Sequence, residues 1–278
     1  MFENIIGNYD NIAKLEGLID SKDISHSYLF IGPKGIGKSI IAKEFAKVLL
    51  KVDNLESSQD YKYITRMDGK KDIVIEQVRK EIIDDISIIP SSGDKKVYII
   101  DSAEDLNTEA QNALLKTLEE PPEYVVIILV SSSLQNFLPT ILSRVYRINF
   151  NKIDDNEIDK YIKEKYNINF DNNILKYIDG SLGLAISIIK DNLQENLNKV
   201  DELYVYLSKK DSINSLLKIK DIEFKDIRLL DYLEFLLYLN LKYNCVDIVE
   251  KTKQRLKFNG NYDIVITTMI LKIIDNIN

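Results

Sequence analysis

Ser27-Tyr28-Leu29-Phe30-Ile31-Gly32-Pro33-Lys34-Gly35-Ile36-Gly37-Lys38-Ser39 is the stretch that decides the fold. An apolar strand runs directly into G-x-x-x-x-G-K-[ST], and a helical pattern from about Lys38 to Leu50 follows it. That strand, loop and helix context is the one in which the pattern forms a phosphate-binding loop. The chain has only 10 glycines, and Gly32, Gly35 and Gly37 are among them. The chemistry needs glycine there, because backbone N–H groups must wrap phosphate oxygens at close range while the helix N-terminus adds its dipole. Lys38 would then reach the β- and γ-phosphates of ATP, and Ser39 would ligate Mg²⁺. The alternative is a glycine-rich turn that holds no ligand.

Working outward, the first half of the chain alternates helical patterns with short apolar runs. Helices are expected near residues 8–22, 38–50, 75–86 and 107–119. Strands are expected at 27–31, at Val97-Tyr98-Ile99-Ile100, from Val125 to Val130 and at Tyr146-Arg147-Ile148-Asn149-Phe150. Continuous apolar runs between helices are what parallel strands buried on both faces look like. The polar segment 52–72 reads as a loop with one short strand. All five prolines (Pro33, Pro90, Pro121, Pro122, Pro139) lie in the first half. Beyond Pro139 the breakers are Gly180, Gly183 and Gly260, and apolar residues recur at helical spacing, as in Ile158, Tyr161, Ile162, Leu230, Leu233, Leu237 and Leu241. The expected organisation is an α/β nucleotide-binding domain (1–150), a small helical module (151–195) and an all-α C-terminal domain (196–278). The second boundary falls in the polar segment Asp191 to Val200.

Composition narrows the chemistry. With 278 residues and 45% hydrophobic content, the chain is long enough for about two domains. Met1-Phe2-Glu3-Asn4 has no basic region, and the aliphatic run Val125 to Val130 is too short to span a bilayer, so a cytoplasmic location without membrane insertion is expected. One cysteine (Cys245) and one histidine (His26) exclude a disulfide framework and a Cys/His zinc site. His26 reads as a satisfied polar residue beside the first strand. A net charge of -7 argues against a generally basic nucleic-acid binder and requires any DNA contact to be local or shared.

A nucleotide-hydrolysing site also needs a carboxylate at the end of a neighbouring strand to hold Mg²⁺, and Asp101 ends the run Val97-Tyr98-Ile99-Ile100. The next residue, where many such ATPases carry a water-polarising glutamate, is Ser102. Glu104 and Asp105 follow, but a general base must lie within hydrogen-bond reach of its proton, and a shift of one or two residues turns a side chain through a large angle. Weak or absent hydrolysis is expected.

Gly32 to Ser39, Val97 to Asp101, Asn112-Ala113-Leu114-Leu115-Lys116-Thr117-Leu118-Glu119-Glu120-Pro121-Pro122 and Leu138-Pro139-Thr140-Ile141-Leu142-Ser143-Arg144 closely resemble the AAA+ subunits of the bacterial DNA polymerase III clamp loader. Ile5-Ile6-Gly7 and His26 to Phe30 fit the same family, in detail as far as about residue 190. The resemblance implies an AAA+ domain, a helical lid and an all-α collar. It also implies partnership with motor (gamma/tau) and delta subunits, with the sliding clamp and, through the assembled complex, with primer-template DNA. Ser132 or Ser133 would occupy the sensor 1 position. Lys116 and Thr117 would face the chamber that tracks the DNA backbone, while Ala110, Ala113, Leu114 and Leu118 would be core.

Departures from the family pattern bear on the branch. Ser102 replaces the catalytic glutamate, and Gly183, in Gly180-Ser181-Leu182-Gly183, stands where a sensor 2 arginine is expected. The four-cysteine zinc module that often follows the first helix is absent, so no zinc is expected. ATP and Mg²⁺ remain candidate ligands, because the loop and Asp101 are intact. This profile resembles the delta-prime, non-motor branch, whose Ser-Arg-Cys motif appears here as Ser143-Arg144-Val145. The resemblance casts Arg144 as an arginine finger acting on the ATP of a neighbouring motor subunit. A gamma/tau-type motor and a DNA-binding or scaffolding AAA+ relic are the alternatives.

Overall fold

Five strands form one parallel sheet in a computed structural model that describes residue 2, residues 5–258 and residues 261–277. Gly260, expected as a helix breaker, and Met1, Glu3 and Asn4 of the chain start lie outside the described residues. The strands are β1 (Ser27–Ile31), β2 (Tyr61–Ile64), β3 (Lys96–Asp101), β4 (Val125–Ser131) and β5 (Tyr146–Asn149), in the order β2-β3-β4-β1-β5. β1 and β4 are buried along their whole length and β3 almost so, which is why they read as unbroken apolar runs. The outer strands β2 and β5 are only partly buried, and β2 is the short strand of the polar 52–72 segment. Register places Tyr28 opposite Ile128 and Tyr146, and Asp101 opposite Val130, so the ends of β1, β3 and β4 share one edge of the sheet.

Successive strand residues feed opposite faces. Tyr28, Phe30, Val97, Ile99, Val126 and Ile128 pack with Leu15 of α1 (Tyr9–Ser21) and with Ile41 and Phe45 of α2 (Lys38–Leu50). Tyr28 meets Phe45 edge-on at 5.4 Å between ring centroids, and burial pushes its phenol up to about 12. On the opposite face Leu29, Tyr98, Ile100, Ile127 and Leu129 pack against the other helices. The helix expected near 75–86 is irregular: α3 (Ile75–Val78) and α4 (Asp84–Ile86) flank a π-helical turn at Arg79–Ile83. Beside them lies α5 (Thr108–Glu119), which buries Ala110, Leu114 and Leu118 and leaves Ala113 half-buried. Asn107 caps α5 by accepting from Ala110 N at 2.8 Å, and the helix stops just before Pro121-Pro122, which cannot supply the N–H of a continuing turn.

The remaining helices are α6 (Pro139–Leu142), α7 (Asp155–Tyr166), α8 (Asn172–Ile178), α9 (Leu182–Lys190), α10 (Gln194–Ser208), α11 (Ser212–Lys218), α12 (Ile227–Leu239), α13 (Tyr243–Lys257) and α14 (Tyr262–Asn276). The chain divides into two compact units, Met1–Tyr161 with Gly180–Gly183, and Ile162–Asp179 with Leu184–Asn278. Asn192, at φ 53°, helps end α9, and the expected division after residue 195 falls in the first turn of α10.

In the second unit Leu197, Leu203, Leu230, Leu233, Leu237 and Ile270 are buried. Leu241, which continues their spacing in the sequence, instead lies beyond the end of α12 at φ 60° and is exposed, because the helix has already stopped at Leu239. Asp201 accepts from Tyr232 Oη at 2.7 Å and from Asn173 Nδ2 at 2.8 Å, and burial raises its carboxyl above the ordinary range despite those bonds. Among the described residues no helix is long and apolar enough to cross a membrane, and no cluster of three His, Cys, Asp or Glu residues could hold a metal ion.

Candidate nucleotide site

The glycine-rich loop joins β1 to α2 at the edge of the sheet where β3 and β4 also end. Gly32 N donates to Ser131 O at 3.3 Å, which ties the start of the loop to the last residue of β4. Gly37 is the N-cap of α2. Gly35 sits at φ +76°, and a Cβ there would fall 2.0 Å from Ser181 Oγ, so no other residue fits without moving its neighbours. The same Gly35 accepts from Gly183 N at 2.7 Å through its carbonyl. A Cβ on Gly183 would stand 3.0 Å from Gly35 Cα. Glycine at the expected sensor 2 position therefore has a steric reason: two backbones meet here.

Lys38 is buried and donates from Nζ to Gly32 O at 2.7 Å and to Pro33 O at 2.5 Å. Burial lowers its ammonium below the ordinary lysine range, opposed by the charges of Glu104 and then Asp101. Ser39 Oγ donates to Asp101 Oδ2 at 2.9 Å, which brings the two expected Mg²⁺ ligands together. Hard oxygen donors of this kind fit Mg²⁺, which binds through one or two carboxylates alongside nucleotide phosphates and water. Tyr63, at the centre of β2, also donates a short hydrogen bond to Asp101 Oδ2, and its ring stacks beneath Lys43 Nζ at 4.0 Å. Burial, reinforced by the Asp101 carboxylate, raises the Tyr63 phenol, so it remains a proton donor.

Ser102 takes the left-handed conformation at φ 55° and its N–H donates to Asp101 Oδ1 at 2.8 Å. The 3₁₀ turn Ala103–Asp105 follows and directs Glu104 toward the end of β4. There its carboxylate accepts from Ser131 Oγ at 2.7 Å, from Ser132 N at 3.2 Å and, in a short bond, from Ser132 Oγ. Burial raises the Glu104 carboxyl, but the bonds from Ser132 and Ser131 outweigh it and hold it below the ordinary glutamate range. Of the two candidate sensor 1 residues the structure brings Ser132 to this cluster. Ser133 turns its hydroxyl to accept from Gln135 N at 3.2 Å.

Arg144 lies between α6 and β5, with its side chain 33% exposed. Its guanidinium donates to Thr140 O at 2.8 Å and Ser143 Oγ at 3.1 Å and pairs with Glu119 at 2.7 Å. Lys116 is exposed on α5. Thr117 is buried at 8% exposure, because the helix turns it inward beside Leu118, which corrects the expectation that it faces solvent. His26 meets Val125 O through Nδ1 at 3.1 Å, a satisfied contact beside β1.

Tyr63, Ser131 and Gln111 are absent from the motif reading, and Glu119 stands in it without its pairing to Arg144. Gln111 is buried. Its Nε2 donates to Leu106 O at 3.0 Å and Asn136 O at 2.8 Å, and its Oε1 accepts from Leu138 N at 2.8 Å, joining α5 to the loop that leads to α6. The one sequence cue was a polar residue on the apolar stripe of α5.

A five-stranded parallel sheet with a glycine-rich loop on a central strand, an aspartate at the end of β3, one strand removed across β4 rather than on the adjacent strand, and a helix-rich C-terminal part defines an AAA+ P-loop protein. Residues 7–154 match the family model described as DNA polymerase III, delta subunit. This chain belongs to the DNA polymerase III clamp-loader family. It is 33% identical over 214 residues to the tau subunit of DNA polymerase III from Bacillus subtilis, covering 72% of this chain and 37% of that one. It is 29% identical over 292 residues to the gamma subunit from Buchnera aphidicola of Acyrthosiphon pisum, covering 90% of this chain and 80% of that one. The chain spans only 25% of the Haemophilus influenzae tau/gamma relative. The fold is shared with a gamma-subunit-related protein of Thermotoga maritima, at a TM-score of 0.60 and 20% identity over 95% of this chain and 99% of that one.

Proposed function

We propose that this chain is the delta-prime, or stator, subunit of a DNA polymerase III clamp loader, helping to place the sliding clamp on primed DNA in the cytoplasm. In this reading its C-terminal helices join a collar with motor (gamma/tau) and delta subunits. Arg144 reaches the ATP of a neighbouring motor subunit, where a guanidinium neutralises charge that develops on the γ-phosphate. The observation that carries the reading is the pair Ser102 and Glu104. The position after Asp101 has no carboxylate, and the nearest candidate base is held by serine donors below its ordinary range, so it is a poor acceptor for a water proton.

ATP and Mg²⁺ would be held by Gly32, Gly35, Gly37, Lys38, Ser39 and Asp101, with Ser132 beside them. The gamma and tau names of the relatives favour a motor subunit as the second reading. Two measurements separate the readings. In a loader reconstituted with gamma/tau and delta, Arg144→Ala is expected to lose most clamp- and DNA-stimulated ATPase, since arginine fingers contribute about 10³-fold or more per site. Undiminished turnover would remove the finger. The isolated chain is expected to hydrolyse ATP no faster than its Lys38→Ala variant; clear turnover above that control would favour the motor reading.

A further inference from the structure

We propose that Glu104 sets the nucleotide preference of this loop, making the site selective for a nucleoside diphosphate over a triphosphate. The proposal rests on the nucleotide-binding reading above and names its ligand class. In a site of this layout the end of the strand beside the loop supplies hydrogen-bond donors to a terminal phosphate, and here those donors are already used. Ser132 N and Ser132 Oγ donate to the Glu104 carboxylate, and Ser131 Oγ, 2.7 Å from Glu104 Oε2 and 2.8 Å from Ser133 O, gives its one proton to one or the other. Ser131 O also accepts from Gly32 N at 3.3 Å, so this cluster adjoins the first residue of the phosphate loop.

The Glu104 carboxylate is therefore fixed beside the first residue of the phosphate loop. Charge-assisted bonds from hydroxyl and amide to carboxylate are among the stronger hydrogen bonds. A terminal phosphate entering the cluster would have to displace that carboxylate and then sit beside its negative charge. A diphosphate meets the loop amides, Lys38 and Ser39 without either penalty. Discrimination thus comes from an element that opposes the larger ligand, while the contacts shared by both ligands stay unchanged.

The test is a titration of the full chain with ADP and with ATP in the presence of Mg²⁺, for the wild type and for Glu104→Gln. Glutamine keeps the shape and an acceptor oxygen for the serines while removing the charge. The wild type is expected to bind ADP about tenfold more tightly than ATP, and the variant to lose that preference, a size fitting one unit charge at a partly exposed site. A wild-type preference for ATP overturns the proposal without recourse to any variant, and so does an ATP-to-ADP ratio that Glu104→Gln leaves unmoved. Failure of both nucleotides to bind the wild type overturns the nucleotide-binding reading itself, and this proposal with it.

Discussion

Tyr63 shows how much of a site can hang on one unmarked side chain. Its phenol and the Ser39 hydroxyl converge on the same oxygen of Asp101, so the carboxylate is oriented from two sides while its other oxygen takes Ser102 N. Outer-shell donors of this kind fix a ligating carboxylate, and their loss costs about 10- to 100-fold in metal affinity. Tyr63→Phe keeps the ring beneath Lys43 and removes only the hydroxyl. It is expected to raise the Mg²⁺ concentration needed for nucleotide binding by about tenfold while leaving Mg²⁺-free nucleotide affinity unchanged. An unaltered Mg²⁺ titration would show that the hydroxyl plays no part in orienting Asp101. Lys38, Ser39 and Asp101 were legible in the sequence because a fixed spacing or a strand end marks each of them. Tyr63 was not, because its link to Asp101 spans 38 residues and exists only once β2 pairs with β3. Glu119 was likewise hidden, since its pairing with Arg144 depends on α5 and α6 packing together.

At the scale of elements, the central strands were readable because burial on both faces leaves an unbroken apolar run, whereas the edge strand β2 carries Lys62 and hides in a polar segment. The helix over 75–86 was visible, but its π turn was not, because periodicity does not distinguish one widened turn. The contact between the first turn of α9 and the phosphate loop was legible only as an odd pair of glycines. Its physical basis is that Gly183 N bonds Gly35 O at 2.7 Å while an added Cβ would stand 3.0 Å from Gly35 Cα and 3.2 Å from Gly35 O. Those are backbone atoms of a loop that cannot yield as a flexible side chain would. Gly183→Ala is expected to destabilise the protein by about 1–3 kcal/mol, the range for forcing a methyl into a filled space. Gly17→Ala on α1 is the matched control: nothing lies within 4 Å of the new Cβ, so the change is expected to stabilise by about 0.5–1 kcal/mol. Thermal denaturation of the two variants checks the pair, and a Gly183→Ala midpoint at or above wild type would mean that the loop gives way.

For the whole molecule the deciding quantity is charge. A chain of net charge -7 repels a phosphate backbone at long range, so DNA affinity must come from a local patch or from neighbouring subunits. Lys116 is the exposed basic residue that the family resemblance places toward DNA, and Thr117 beside it is buried. The isolated chain is therefore expected to show no measurable binding to primer-template DNA at physiological salt. In the reconstituted loader, Lys116→Ala is expected to weaken DNA binding alike across sequences, because a phosphate contact carries no base information. It should also flatten the dependence of log affinity on log salt by about 0.7–0.9, the release of one counterion. Measuring affinity at several salt concentrations separates this from a fold defect, which would lower affinity without changing the slope. A slope equal to that of the wild-type loader would remove Lys116 from the DNA path and leave this subunit acting on its neighbours alone.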